Sequence, residues 1–180
     1  IAAIAQRAGI HPVEAYLDSL DRSDGRAIVN WPVMNQSSEA IEEMVTSPVT
    51  ILGLADTGAH ATQIMDASQP TYLLSHWVRD LGVLSLQEGI RRLTSDTANF
   101  IGYVDRGVVK EGAYADLNVL DIDGMALALP EIVHDFPGGA PRFVQKASGI
   151  DHSIVNGVPF VEAGEHTGAL AGRLLRSTDA

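Results

Sequence analysis

The 180-residue chain contains no cysteine. That absence removes disulfides, thiolate metal sites and thiol nucleophiles together, and it fits a reducing, cytoplasmic setting. Long hydrophobic runs are missing too. No apolar stretch approaches the roughly 20 residues that cross a bilayer and no secretory signal is visible, so no membrane partner is expected. Positive charge is scarce, with 12 Lys and Arg against 23 Asp and Glu and a formal net charge of −11. A polyanion would be repelled, which sets nucleic acid aside as a partner. Several short signatures are also absent: no HxH or HExxH metal pair, no GxGxxG or GxxxxGK[ST] phosphate loop, and no GxSxG elbow.

What is present is globular composition, 46% hydrophobic and 19% charged, over a length that suffices for one good core or two small ones. The chain opens at Ile1 in "IAAIAQRAG", without Met and already helical in texture, and is expected to be a piece of a longer protein. "HPVEAYLDSLDRSDG" places Pro12 at a first helical turn, repeats apolar residues at Val13, Tyr16, Leu17 and Leu20, and ends near Gly25. "RAIVNWPV" is expected to be a short strand. "SSEAIEEMVTSP" offers Ser caps, an apolar set at Ile41, Met44 and Val45, and a stop before Pro48. Val49 to Leu54 is a continuous apolar run of the kind buried on both faces of a parallel sheet. Strand, helix and strand with short joints make a βαβ unit.

Farther on, "PTYLLSHWVRDLG" repeats Leu73, Leu74, Trp77, Val78 and Leu81 at helical spacing, and "SLQEGIRRLTSD" opens with a capping box of Ser85 and Glu88. "SDTANFIG" predicts a short helix stopping at Gly102. Beyond it the texture becomes Gly-punctuated, with alternation in "ADLNVLDID" and a strong hairpin signal at Asn156-Gly157. A boundary near Asp105 therefore divides a helix-rich α/β part, residues 1–104, from a small β part, residues 105–180. "LPEIVHDFPGGAPRFVQKAS" is expected to be a long Pro/Gly-rich connection between β elements.

The run Val49 to Leu54 leads to Asp56 in "VTILGLADTGAH". In parallel α/β folds the working residues sit at the C-terminal ends of strands, and Asp56 is at such an end. The same position suits a capping carboxylate that accepts hydrogen bonds from the backbone of the following turn, and pattern alone leaves both roles open.

Three segments carry a resemblance: "GLADTGAHATQIMDASQPTYLLSHWVRD", "LSLQEGIRRLTSDTANFIGYVDRGVVKEGAYADLNVLD" and "IVNGVPFVEAGEHTGALAGRLLR". Together they resemble the C-terminal part of the N-acyl-D-amino-acid deacylase, or D-aminoacylase-like, group of the amidohydrolase superfamily. The middle segment resembles amidohydrolases generally, and "GEHTGALAGRLLR" points to the D-aminoacylase-like branch. The resemblance implies an α/β fold: residues 1–104 as the C-terminal portion of a (β/α)8 barrel, and residues 105–180 as the closing part of a small β-sandwich. It implies a hydrolase of linear amides that uses a divalent metal, zinc in the full-length enzyme. In that superfamily a metal-bound water attacks the amide carbonyl, and an Asp ending the eighth strand takes the water's proton and passes it to the leaving amine. Asp56 is the residue that matches. It is the candidate catalytic residue and the one candidate metal contact. His60, four residues on, is the candidate substrate-pocket residue.

The other ligands of such a metal are not in this chain, whose six His are scattered at His11, His60, His76, His134, His152 and His166. No tightly bound cofactor is therefore expected here, and the chain alone is expected to be inactive. The implied partners are a small N-acyl amino acid and the N-terminal half of the same protein, with self-association through exposed core surface if the stripe Leu73, Leu74, Trp77, Val78 is uncovered. Asp105, Asp116, Asp121 and Asp123 fail the EF-hand spacing. Arg173 and Arg176 are expected to face solvent or acidic neighbours. The alternative is a non-catalytic acidic α/β module for binding or assembly, derived from such an enzyme.

Overall fold

The computed structural model describes residues 1–58 and 60–176. The chain forms two compact units, Ile1–Ala40 and Ile41–Ala180. In the first, α1 (Ala2–Ala8) ends in left-handed Gly9, and α2 (Pro12–Arg22) packs against it with Ala5 and Ala15 buried. Pro12 opens α2 because the first turn has no use for its missing N–H, and the His11 Nδ1 accepts the Val13 N–H at 3.2 Å. The remainder of this unit, up to α3 (Ser38–Thr46), has no regular structure, and Trp31 is 78% exposed there.

The second unit is built on a helical layer. α4 (Gln69–Tyr72) runs straight into a π-helical segment, Leu73–Asp80, whose Leu73, Leu74, Trp77 and Val78 are buried. The apolar stripe is thus covered core. Exposed apolar residues lie elsewhere, at Val49 (90%) and Leu54 (87%) among others. α5 (Leu86–Leu93) follows, and its capping box is complete: the Ser85 Oγ accepts the Glu88 N–H at 3.2 Å, and the Glu88 carboxylate accepts the Ser85 N–H at 3.0 Å. Gly89 lets α5 approach closely, since a Cβ there would meet Val78 Cγ2 at 2.6 Å. α6 (Ser95–Ile101) ends at left-handed Gly102.

All eight strands of the described residues follow the helices, and all their pairings are antiparallel. The order β1 (Leu117–Leu120), β6 (Ile150–Val155), β7 (Val158–Glu162), β8 (Glu165–His166) makes one sheet. The β6–β7 turn is the expected one, with Asn156 and Gly157 both at positive φ. β2 (Ala126–Leu127) pairs with β5 (Ala147–Ser148), and β3 (Glu131–Phe136) pairs with β4 (Ala140–Val144).

Two expectations are corrected. The stretch 129–148 is a hairpin, not a connection. Pro137-Gly138-Gly139 supplies its turn, and a bidentate pair between Asp135 and Arg142, at 2.7 Å in both contacts, closes it. The runs Ala27–Trp31 and Val49–Leu54 are not strands, so the described residues contain no parallel βαβ unit. A strand is defined by its ladder, and among the described residues neither run forms one with another backbone.

Met125, 1% exposed, joins Leu73, Leu74, Trp77, Val78 and Leu84 in the core, with Leu52, Leu120, Ile122 and Ile150 packed around them. Two arginines tie distant segments to this core. Arg79 Nη1 donates to the carbonyls of Ile122 (3.0 Å), Asp123 (3.3 Å) and Met125 (2.6 Å), and its Nε donates to Asp80 at 2.7 Å. Arg92, 4% exposed, donates to the carbonyls of Ser47 (2.6 Å) and Thr50 (3.2 Å). Gly149, with φ 84°, crosses so close to Asp121 and Met125 that a Cβ would lie 2.6 Å from backbone atoms of both.

Candidate active-site loop

Arg92 fixes the stretch Ser47–Thr50, and Leu52 reaches the core, but the chain leaves both anchors before it arrives at Asp56. Asp56 is exposed, and its side chain makes no hydrogen bond or ion pair to any described residue. It does not end a strand, because residues 49–54 have no ladder. Nor does it serve as the backbone-saturated cap that the pattern also allowed. Its backbone is left-handed at φ 52°, and His60 shares that conformation at φ 51°. Each such residue costs roughly 1 kcal/mol for a non-glycine side chain, so the loop holds strain that its surroundings must offset.

The loop's internal bonds are few. The Thr57 hydroxyl accepts the Asp66 N–H at 3.2 Å, and the His60 carbonyl accepts the N–H groups of Gln63 (2.6 Å) and Ile64 (3.4 Å). The His60 ring is exposed, and no hydrogen bond joins it to Asp56. Among the described residues one bond reaches from the loop to a remote element: the Phe143 N–H of β4 donates to the Ala61 carbonyl at 2.9 Å.

The remaining histidines serve other ends. His11 caps α2, the His76 ring stacks on Tyr72 at 4.6 Å, the His134 Nδ1 lies 3.1 Å from the Gly139 carbonyl, and the His166 Nδ1 accepts the Gly168 N–H at 2.8 Å. His152 lies in β6 opposite Val119. Among the described residues no three His, Asp or Glu side chains come together as a metal site. A divalent cation needs several converging oxygen or nitrogen donors. Asp56 alone does not fit one.

Elsewhere carboxylates are held ionised by local partners. Glu88 is lowered below its ordinary value by the Ser85 hydroxyl and then the Ser85 N–H, Asp135 by the Arg142 guanidinium, and Asp80 by that of Arg79. Arg173 and Arg176 are exposed, as expected, and the segment that carries Arg173 is tied back to the β part. Asn156 Nδ2 donates to the Ala171 carbonyl at 2.6 Å, and Arg173, though exposed, lies over the Tyr114 ring at 4.5 Å, with Arg106 also over it at 4.3 Å. The Arg79, Arg92 and Phe143 ties went unread in the sequence.

Residues 1–161 match the Amidohydrolase family. An uncharacterised protein of Mycobacterium tuberculosis is 28% identical over 169 residues, which is 85% of this chain and 27% of that protein. The D-aminoacylase of Alcaligenes xylosoxydans xylosoxydans is 33% identical over 108 residues, 60% of this chain and 20% of the enzyme. A solved structure concerned with the binuclear metal center of D-aminoacylase is similar with a TM-score of 0.45 and 33% identity, over 58% of this chain and 20% of that one. The chain thus spans about a quarter of the length of the first of these relatives and a fifth of the second. With a family match across residues 1–161, the chain belongs to the amidohydrolase family.

Proposed function

We propose that this chain is the C-terminal portion of a metal-dependent amidohydrolase that cleaves the amide bond of N-acyl amino acids, D-configured substrates included, and releases a carboxylate and an amine. The observation that carries the reading is the family match over residues 1–161, with the 33% identity to D-aminoacylase behind it. In this reading residues 1–104 complete a (β/α)8 barrel, residues 105–180 close a small β-sandwich, and Val49–Leu54 acquires a ladder from neighbouring barrel strands. The apolar, exposed Val49 and Leu54 support that view, because they are poorly suited to water.

Asp56 is the proton carrier. An exposed carboxylate with no bond to any described residue is reachable by substrate and free to take a proton from the attacking water and to return it to the departing nitrogen. His60, four residues on in the same loop, lines the substrate pocket. D-aminoacylase has a binuclear metal center. The described residues here do not fit a cation, so its donors belong to the rest of the polypeptide.

The test uses two preparations, the 180-residue chain alone and the polypeptide that joins it to the residues encoded before Ile1. Each is incubated with zinc and a panel of N-acetyl-D-amino acids, and amine release is followed. The longer polypeptide turns over and the chain alone does not. An upstream frame that opens at a Met just before Ile1, or a longer product inert towards every amide in the panel, would instead favour the non-catalytic acidic module.

A further inference from the structure

The loop carrying Asp56 and His60 is bonded mainly to itself, through Thr57 with Asp66 and through the His60 carbonyl with Gln63 and Ile64. Among the described residues, one hydrogen bond links residues 56–64 to a remote part of the chain, from the Phe143 N–H to the Ala61 carbonyl at 2.9 Å. Phe143 stands opposite Ile132 in β4, and its N–H is spent on Ala61, outside the hairpin ladder.

We propose that the β3–β4 hairpin is a positioning element for Asp56, acting through this single backbone bond; the inference rests on Asp56 being the proton carrier. A loop with left-handed backbone at Asp56, Gly58 and His60 keeps that shape only where the surroundings over-determine it. The local bonds close turns within the loop but do not fix it against the fold. The Phe143 bond does, one residue beyond His60 and five beyond Asp56. The hairpin is suited to this task because its own shape is set by the Asp135–Arg142 pair, the contact of His134 with Gly139 and the Pro137-Gly138-Gly139 turn. A proton carrier displaced by about 1 Å loses about a hundredfold in rate, so one bond at this place is enough to matter.

The cleanest variant replaces Phe143 by its α-hydroxy acid, which turns the amide into an ester and removes the N–H while keeping the side chain. Phe143→Pro is a second variant, tolerable in a strand where the N–H lies outside the ladder. Phe143→Ala keeps the N–H and reports the loss of the side chain alone. In the 180-residue chain, amide exchange at Gln63 and Ile64 should accelerate about tenfold in the ester and proline variants, as expected for one lost hydrogen bond, and stay at the wild-type rate in Phe143→Ala. In the longer polypeptide the ester variant should lower kcat about ten- to a hundredfold with KM held within about twofold. Unchanged exchange in the ester variant, or a kcat loss in Phe143→Ala equal to that of the ester, would overturn the proposal. Asp56→Asn is assayed alongside: if it retains full activity the proton-carrier reading fails, while the exchange rates still decide whether the tie exists.

Discussion

The helical layer Gln69–Leu93 and the segment Val49–Asp66 belong to the same compact unit, yet they are held in opposite ways. The first buries Leu73, Leu74, Trp77 and Val78, carries a complete capping box and is clamped by Arg79 to the carbonyls around Met125. The second exposes Val49 and Leu54, has no helix or strand among its described residues and turns through left-handed Asp56 and His60. Stability and candidate chemistry therefore reside in separate segments. The core supplies a fixed frame, and the candidate carboxylate is left uncommitted by it, so each can be damaged without the other.

The largest effect should come from the frame. Met125→Ala removes a fully buried side chain from the centre of the core and should lower unfolding free energy by about 3 kcal/mol, measured by urea denaturation. Arg92→Met comes next. It leaves the Ser47 and Thr50 carbonyls without their donor and should cost about 2 kcal/mol, and because these residues lead towards Asp56 it should also loosen the site segment, read as faster amide exchange over residues 51–56. A loss of stability with no change in that exchange would show the two regions to be more independent than described. Ser85→Ala removes one side of the capping box and should cost about 1 kcal/mol in the same denaturation assay.

The smallest effects concern pH. Glu88, Asp135 and Asp80 all have folded values lowered from 4.5 for Glu and 3.8 for Asp. A lowered carboxylate stabilises the fold in its ionised form, so its contribution is complete above the unfolded value and is lost as pH falls through the folded one. Urea midpoints should decline as pH drops below about 4.5, and Glu88→Gln should flatten part of that decline. All three pairs are at the surface, so salt should weaken the dependence.

How much of this was legible beforehand follows from the range of the forces involved. The Ser85–Glu88 box, Pro12 at the start of α2, Gly102 at the end of α6 and the Asn156-Gly157 turn are settled by neighbours a few residues away, and each was visible in the sequence. Val49–Leu54 looked like a buried strand because its composition suits one, but a ladder needs a partner backbone and composition does not provide it. The hairpin at Glu131–Val144 was missed because Pro137-Gly138-Gly139 suggested a connection, although the same residues make a turn between paired strands. Arg79, Arg92 and Phe143 act across long sequence separations, through carbonyls that any residue presents, and leave no pattern to find. Asp56 itself stood out because an apolar run stops at a carboxylate, and that this carboxylate bonds to no described residue emerged only with the structure.

One comparison tests the central claim most directly: the rate of N-acetyl-D-amino acid hydrolysis by the longer polypeptide with Asp56 and with Asp56→Asn, each paired with its urea midpoint. Loss of general acid–base catalysis should lower kcat by about a hundredfold or more, while the exposed, unbonded position of Asp56 should leave stability within about 0.5 kcal/mol. Equal rates in the two proteins, or a fall in activity matched by a fall in stability, would contradict the assignment of the chemistry to this loop.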